Sequence, residues 1–236
     1  RNMTYYGRWT YKLEEAQRQG AAGALVLHNT PAASYGWNVC STSHVNHNIG
    51  LCSEDMNADA LGFMGWLHED AGKKLFEMSG LNFEEVTNAA KKPGFKSFTM
   101  KAKSKVTMNV LEMNVGESHN VAAVLPGTDL KDEYIVCTAH WDHLGIGTPI
   151  DGDSIYNGAS DNASGTAALM VLAKKFQSLP VKQRRSIVFL AVTSEECGLL
   201  GSEGYCDNPL FPLSKTAVNL NFDGSAPAPR TTGVTL

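Results

Sequence analysis

Residues 134–143, Tyr-Ile-Val-Cys-Thr-Ala-His-Trp-Asp-His, lead a short apolar run into two imidazoles and a carboxylate. An unbroken apolar run of this length is how a strand buried on both faces reads. The pattern recurs twice downstream. Residues 186–192 (SIVFLAV) run into Thr193-Ser194-Glu195-Glu196, and residues 217–222 (AVNLNF) run into Asp223-Gly224. Between the first two runs, residues 162–176 place Ala168, Leu169, Leu172, Ala173 and Phe176 on one face, the spacing of a helix packed on a sheet. A second, short helix is expected near Leu200 to Cys206. Strand, helix, strand, helix, strand predicts an α/β fold with a mostly parallel sheet and helices on both faces.

Upstream the signals are looser. Helical segments are expected at Tyr11 to Gln19 and at about Asp70 to Ser79, with a short strand from Ala24 to His28. The run Ala89-Ala90-Lys91-Lys92-Pro93-Gly94 is charged and then broken, which marks a domain boundary. It divides the chain into residues 1–96, a smaller α+β unit, and residues 97–236. Residues 103 to 117 alternate in places and read as strand.

The 236 residues suffice for two modest domains. A formal net charge of −4, with no basic stripe, argues against a nucleic-acid partner. No apolar run is long enough to span a membrane. Five cysteines leave at least one unpaired within the chain. Cys40 and Cys52 bracket a polar loop and suit a disulfide, whereas Cys137 lies within an apolar run and reads as a buried thiol.

Ligands of open α/β sheets bind at the carboxyl ends of the strands. His140, Asp142, Glu195, Glu196 and Asp223 all stand at such ends, and Asp161 stands at the helix start in Gly-Ala-Ser-Asp-Asn-Ala-Ser-Gly, residues 158–165. Imidazole and carboxylate suit zinc or a similar divalent ion. The supply exceeds the needs of one open tetrahedral zinc, so two ions sharing a carboxylate are expected. Asp142, two residues beyond His140, is placed to orient the imidazole. Adjacent Glu195 and Glu196 point in different directions, so one can bind metal while the other handles protons. Each piece has a plainer reading when taken alone: a surface hydrogen bond for His140 and Asp142, a solvated face for the glutamates, a phosphate cradle for 158–165. Their common placement at strand ends is what favours the metal site.

The set His140-x-Asp142, Gly-Ala-x-Asp161-Asn-Ala-Ser-Gly, Glu195-Glu196-x-Gly-Leu-Leu-Gly-Ser and Asn-x-Asp223 resembles the co-catalytic zinc aminopeptidases. That family also holds glutamate carboxypeptidase and the catalytically inactive transferrin receptor. The resemblance implies a zinc-exopeptidase fold and two zinc ions. It implies His140 and Asp223 on the first ion, Glu196 on the second, and Asp161 bridging them, with a cis bond after Asp161. Glu195 would be the general base and Asp142 the support of His140. The activity implied is hydrolysis of a peptide's N-terminal bond by a metal-bridging water that a glutamate activates. The alternatives are carboxypeptidase action, glutaminyl cyclisation on a single zinc, or a receptor-like binding module.

The small-residue run Gly20-Ala21-Ala22-Gly23-Ala24 before Leu25-Val26-Leu27 resembles an inserted protease-associated domain. The family also implies secretion or a periplasmic location, and it leaves the oligomeric state open. Its further histidine on the second zinc lies well beyond the third strand, and here no histidine follows His143. With Arg1 rather than methionine at the start, the chain reads as an internal stretch of a longer protein, expected to hold the second zinc weakly. Among lesser candidates, Cys40, His44, His47 and Cys52 look superficially like a zinc site, and a loop is the favoured reading. His143 is read as a substrate contact or a packing residue, and Trp141 as a pocket wall or a core residue. Asn2 and Asn162 begin glycosylation acceptor patterns.

Overall fold

The computed structural model describes residues 5–43, 49–52, 60–109 and 114–224. Contacts divide the chain into two units, one of Arg1–His47 with Cys52–Asn114, the other of Asn48–Leu51 with Val115–Leu236.

The first unit pairs two short parallel strands, β1 (Ala24–Leu27) and β2 (Met64–Leu67), from Ala24 opposite Met64 to Leu27 opposite Leu67. Helix α1 (Trp9–Arg18) precedes β1, and α2 (Thr30–Ala33) and α3 (Trp37–Ser43) follow it. Helices α4 (Glu69–Met78) and α5 (Phe83–Ala90) follow β2. Starts are capped by short polar side chains. Asn29 Oδ1 accepts from the Ala32 amide, His68 Nδ1 from Asp70, and Asn82 Oδ1 from Glu85. Each satisfies one amide that the first helical turn leaves without a partner. No strand forms among the described residues between 103 and 117. Alternation there is patchy, and its larger side chains stay out of a core, with Val106 and Met108 exposed.

In the second unit, β3 (Val121–Leu125), β4 (Leu130–His140), β7 (Arg185–Val192) and β8 (Thr216–Asn221) form a sheet of order β3-β7-β4-β8. The pairings β4 with β7 and β4 with β8 are parallel. The edge strand β3 runs antiparallel to β7, from Val121 opposite Ala191 to Leu125 opposite Ile187. The sheet is therefore mixed, with a parallel centre. A hairpin of β5 (Gly145–Ile150) and β6 (Asp153–Tyr156) leaves the end of β4.

Helix α6 (Ser164–Gln177) covers one face. Its Leu169, Leu172, Ala173 and Phe176 pack on Cys137, Ala139, Ile187 and Phe189. On the other face, Val136, Val188, Leu190 and Val192 meet Tyr134, Phe211 and Tyr205, the last from helix α7 (Leu200–Asp207). Alternating strand residues thus feed both layers, as a strand buried on both sides requires. Each wholly buried side chain, such as Ile187 or Val188, contributes about 1.5–3 kcal/mol of transfer free energy. Cys137 is buried, and Cys40 and Cys52 are not joined by a disulfide.

The helix expected from residue 162 begins at Ser164. A wide helical turn, Ala159–Ala163, precedes it, with Asp161 and Asn162 outside helical φ/ψ and a cis peptide bond between them.

Candidate metal centre

The carboxyl ends of β4, β7 and β8 bring the predicted residues together. β4 ends on His140, whose side chain is 2% exposed. Its Nδ1 donates to the main-chain carbonyl of Asp142 at 2.9 Å. A carbonyl can only accept, so Nδ1 carries the hydrogen, and the neutral ring presents its Nε2 lone pair. That lone pair faces carboxylates: Asp161 Oδ1 at 2.9 Å, Asp223 Oδ1 at 3.3 Å and Glu195 Oε2 at 3.9 Å. None of them forms a hydrogen bond with it, and Nε2 is a buried nitrogen without a partner. A lone pair facing anions in a buried place requires a cation or a proton between them.

Among the described residues, three donor groups surround this space, each with ligand atoms within 4.8 Å of one another: His140, Asp161 and Asp223; His140, Glu195 and Glu196; His143, Asp161 and Glu196. The first and third share Asp161. One histidine with surrounding carboxylates is a donor set that zinc accepts, so the residues present fit the ions the sequence implies.

The scaffold behind the donors is built from hydrogen bonds. Asn162 is buried. Its Nδ2 donates to the Phe222 carbonyl at 2.9 Å, and its Oδ1 accepts from the amides of Gly165 at 3.0 Å and Gly224 at 3.4 Å. One side chain therefore fastens the turn carrying Asp161 to the segment carrying Asp223. Its amide nitrogen is committed there. Thr166 Oγ1 donates to the His140 carbonyl at 2.9 Å, joining α6 to the same strand end.

Asp142 acts elsewhere than expected. Its main-chain carbonyl orients His140, whereas its carboxylate stands 3.7 Å from Nδ1. The two carboxylate oxygens instead accept from the amides of Glu195 at 3.0 Å and Glu196 at 3.3 Å. Asp142 thus fixes the turn that follows β7. Ser194 in that turn has a φ of +52°, a left-handed conformation that reverses the chain before the two glutamates. Asn120 holds the same turn from the β3 side, with Oδ1 accepting from the Thr193 amide at 3.0 Å and Nδ2 donating to the Gly201 carbonyl at 2.7 Å.

Burial raises the pKa of Glu195, and neighbouring Glu196, Asp223 and Asp142 add to this against the opposing pull of His140. Burial acts to lower the pKa of His140, but the Asp142 carbonyl and the carboxylates of Glu195, Asp223 and Asp142 outweigh it and leave the value raised. Both shifts describe a crowd of carboxylates short of positive charge.

The sequence did not disclose the parts played by Asn162, Asn120 and His143. His143 Nδ1 lies 2.8 Å from Glu196 Oε1. The motif His-Trp-Asp-His shows that a second imidazole is near, but its direction depends on how the chain leaves β4. Trp141 is half exposed, and its Nε1 donates to the His119 carbonyl, so it is no core residue. His28 is buried among the rings of Tyr35, Trp37 and Trp66. Cys40 is buried, while His44, His47 and Asn2 lie outside the described residues.

Comparison with known proteins bears on the same segment. Aminopeptidase YwaD of Bacillus subtilis (strain 168) is 33% identical over 108 residues, covering 45% of this chain and 21% of that protein. A "Probable zinc metalloprotease" of Pyrenophora teres f. teres (strain 0-1) is 34% identical over 103 residues, covering 44% of this chain and 22% of that protein. The crystal structure of a Peptidase M28 precursor from Shewanella amazonensis SB2B aligns at 32% identity with a TM-score of 0.38, covering 44% of this chain and 22% of that one. This chain thus spans about a fifth of the length of the relatives described. Peptidase family M28 matches residues 120–234, from the lead into β3 through every donor at the strand ends.

Proposed function

We propose that the protein is a zinc-dependent aminopeptidase that hydrolyses the N-terminal peptide bond of a peptide. The observation that carries this reading is the buried Nε2 of His140, its lone pair turned on carboxylates with no hydrogen-bond partner. The names of the relatives, an aminopeptidase and a probable zinc metalloprotease, support it independently.

In this reading His140, Asp161 and Asp223 hold one zinc, and Asp161 and Glu196 hold a second. Bound zinc supplies Lewis acidity, which acidifies water and polarises the scissile carbonyl. Glu195, half-buried and with a raised pKa, takes a proton from the attacking water and returns it to the leaving amine. Asp142 holds the main chain of both glutamates, so base and ligand keep their separation through turnover. Asn162 ties the main chain beside Asp161 to the main chain on either side of Asp223.

The same reading keeps residues 1–96 as a protease-associated unit and 97–236 as the catalytic one, supported by the small-residue run into β1 and the break after α5. Export from the cytoplasm rests on the family resemblance alone. Among the described residues, no helix is long and apolar enough to cross a membrane.

The test compares free and N-acetylated aminoacyl chromogenic substrates with the full-length protein, with and without a chelator. Chelator-sensitive cleavage of the free-amine substrates alone is expected. Cleavage of neither set, with carboxyl-terminal residues released from peptides instead, would replace the reading with a carboxypeptidase.

A further inference from the structure

We propose that His143 is a positioning residue for Glu196, setting which carboxylate oxygen that glutamate offers to the second zinc. The inference rests on the two-zinc reading above and adds to it a residue outside the ligand set that the sequence implied.

His143 Nδ1 and Glu196 Oε1 are 2.8 Å apart. A carboxylate oxygen accepts, so Nδ1 carries the hydrogen and donates it, and Nδ1 is thereby unavailable as a metal donor. Glu196 is held at two points. Its amide donates to Asp142 Oδ2, and its Oε1 is engaged by His143. His143, Asp161 and Glu196 have donor atoms within 4.8 Å of one another, so an ion beside Asp161 would lie within reach of this glutamate. Both partners are mostly shielded, with side chains 23% and 20% exposed, so the bond is not simply exchanged for water.

The imidazole is in turn held in place by the turn before Asp161. Gly158 has a φ of +65° and lies so close that an added Cβ would stand 2.7 Å from His143 Cγ and 3.0 Å from Cδ2. Only glycine lets the main chain lie against the ring there. The segment that carries the shared ligand Asp161 therefore also buttresses the residue that aims Glu196. Hydrogen bonds from neighbouring groups to ligating carboxylates fix their orientation, and losing one typically costs 10–100-fold in metal affinity.

The experiment titrates zinc into the metal-free full-length protein, wild type and two variants, by calorimetry. Cobalt-loaded samples are compared by visible absorption. Wild type is expected to bind two ions. His143→Leu, which removes the donor, is expected to weaken one ion by roughly 10–100-fold and leave the other unchanged. His143→Asn, whose side-chain N–H sits where Nδ1–H does, is expected to recover most of that loss, with an unaltered cobalt spectrum. Wild-type affinity for both ions in His143→Leu would overturn the proposal. So would a His143→Asn variant as weak as His143→Leu with a cobalt spectrum that has lost one imidazole, because His143 would then be a ligand itself. Failure of the wild type to bind zinc would instead overturn the metal reading on which the proposal stands.

Discussion

Gly165→Ala is a substitution that the second unit has no room to accept. A Cβ at this position would lie well inside contact distance of the Phe222 carbonyl oxygen and of Asn162 Oδ1, and 2.9 Å from Asn162 Cγ. Phe222 is main chain at the end of the sheet and cannot swing away. Asn162 would have to move, yet it is buried and makes three hydrogen bonds, to Phe222, Gly165 and Gly224. Overpacking a tight site costs about 1–3 kcal/mol. Losing such buried hydrogen bonds costs about 1 kcal/mol each. Against this, alanine gains up to about 1 kcal/mol over glycine inside a helix. The balance is a destabilisation of about 2–4 kcal/mol. Because Asn162 follows Asp161 and Phe222 precedes Asp223, zinc affinity should fall with it. Gly204→Ala, in α7 with nothing within 4 Å of an added Cβ, is the matched control and should be neutral or stabilising by up to about 1 kcal/mol. Urea unfolding of both metal-free variants beside wild type reads the difference. A Gly165→Ala protein as stable as Gly204→Ala, with unchanged zinc binding, would refute the claim that Asn162 clamps the two aspartates.

Two further outcomes follow from electrostatics. In the metal-free protein His140 and Glu195 both have raised pKa values, so each stabilises the fold fully below its unfolded value and loses that contribution as pH rises through the folded one. Zinc needs His140 neutral, so the stabilisation it confers should run the other way, growing as pH rises past about 6.5. Melting temperature measured against pH, with zinc and without, checks the opposite slopes; parallel slopes would contradict them. Arg184 and Asp129 form a bidentate pair, but both side chains are more than half exposed. Arg184→Ala should therefore shift unfolding free energy by no more than about 1 kcal/mol, and a larger loss by denaturant titration would give the pair a weight that its exposure does not suggest.

What the sequence disclosed and what it hid divide along one physical line. The apolar runs of β4 and β7 are legible because a strand buried on both faces excludes polar residues, and both core layers draw on these runs, whereas the edge strand β8 is mostly exposed and feeds neither layer. The donors are legible because they follow those runs directly. Pairing direction is not encoded in periodicity. The edge strand β3, Val-Ala-Ala-Val-Leu, has nothing in its own residues to show that it runs antiparallel to β7. The hairpin β5–β6 was missed for a similar reason, since its exposed Ile146, Ile150 and Ile155 carry no alternation into a core. Asn162 looked like part of a helix start. Its task depends on the distant main chain of Phe222 and Gly224, which no local pattern reports. Asp142 was read as an imidazole partner because of its two-residue spacing from His140. The main-chain carbonyl fills that place, which frees the carboxylate for the glutamate turn.

The measurement closest to the central claim is zinc content and turnover of Glu195→Gln in the full-length protein. The amide keeps the size of the side chain and removes its ability to take up a proton, while His140, Asp161, Glu196 and Asp223 are untouched. Full zinc binding with turnover of a free-amine substrate reduced by at least about 100-fold is the expected result. Turnover close to wild type with zinc fully bound would contradict the assignment of Glu195 as the base and the mechanism built on it.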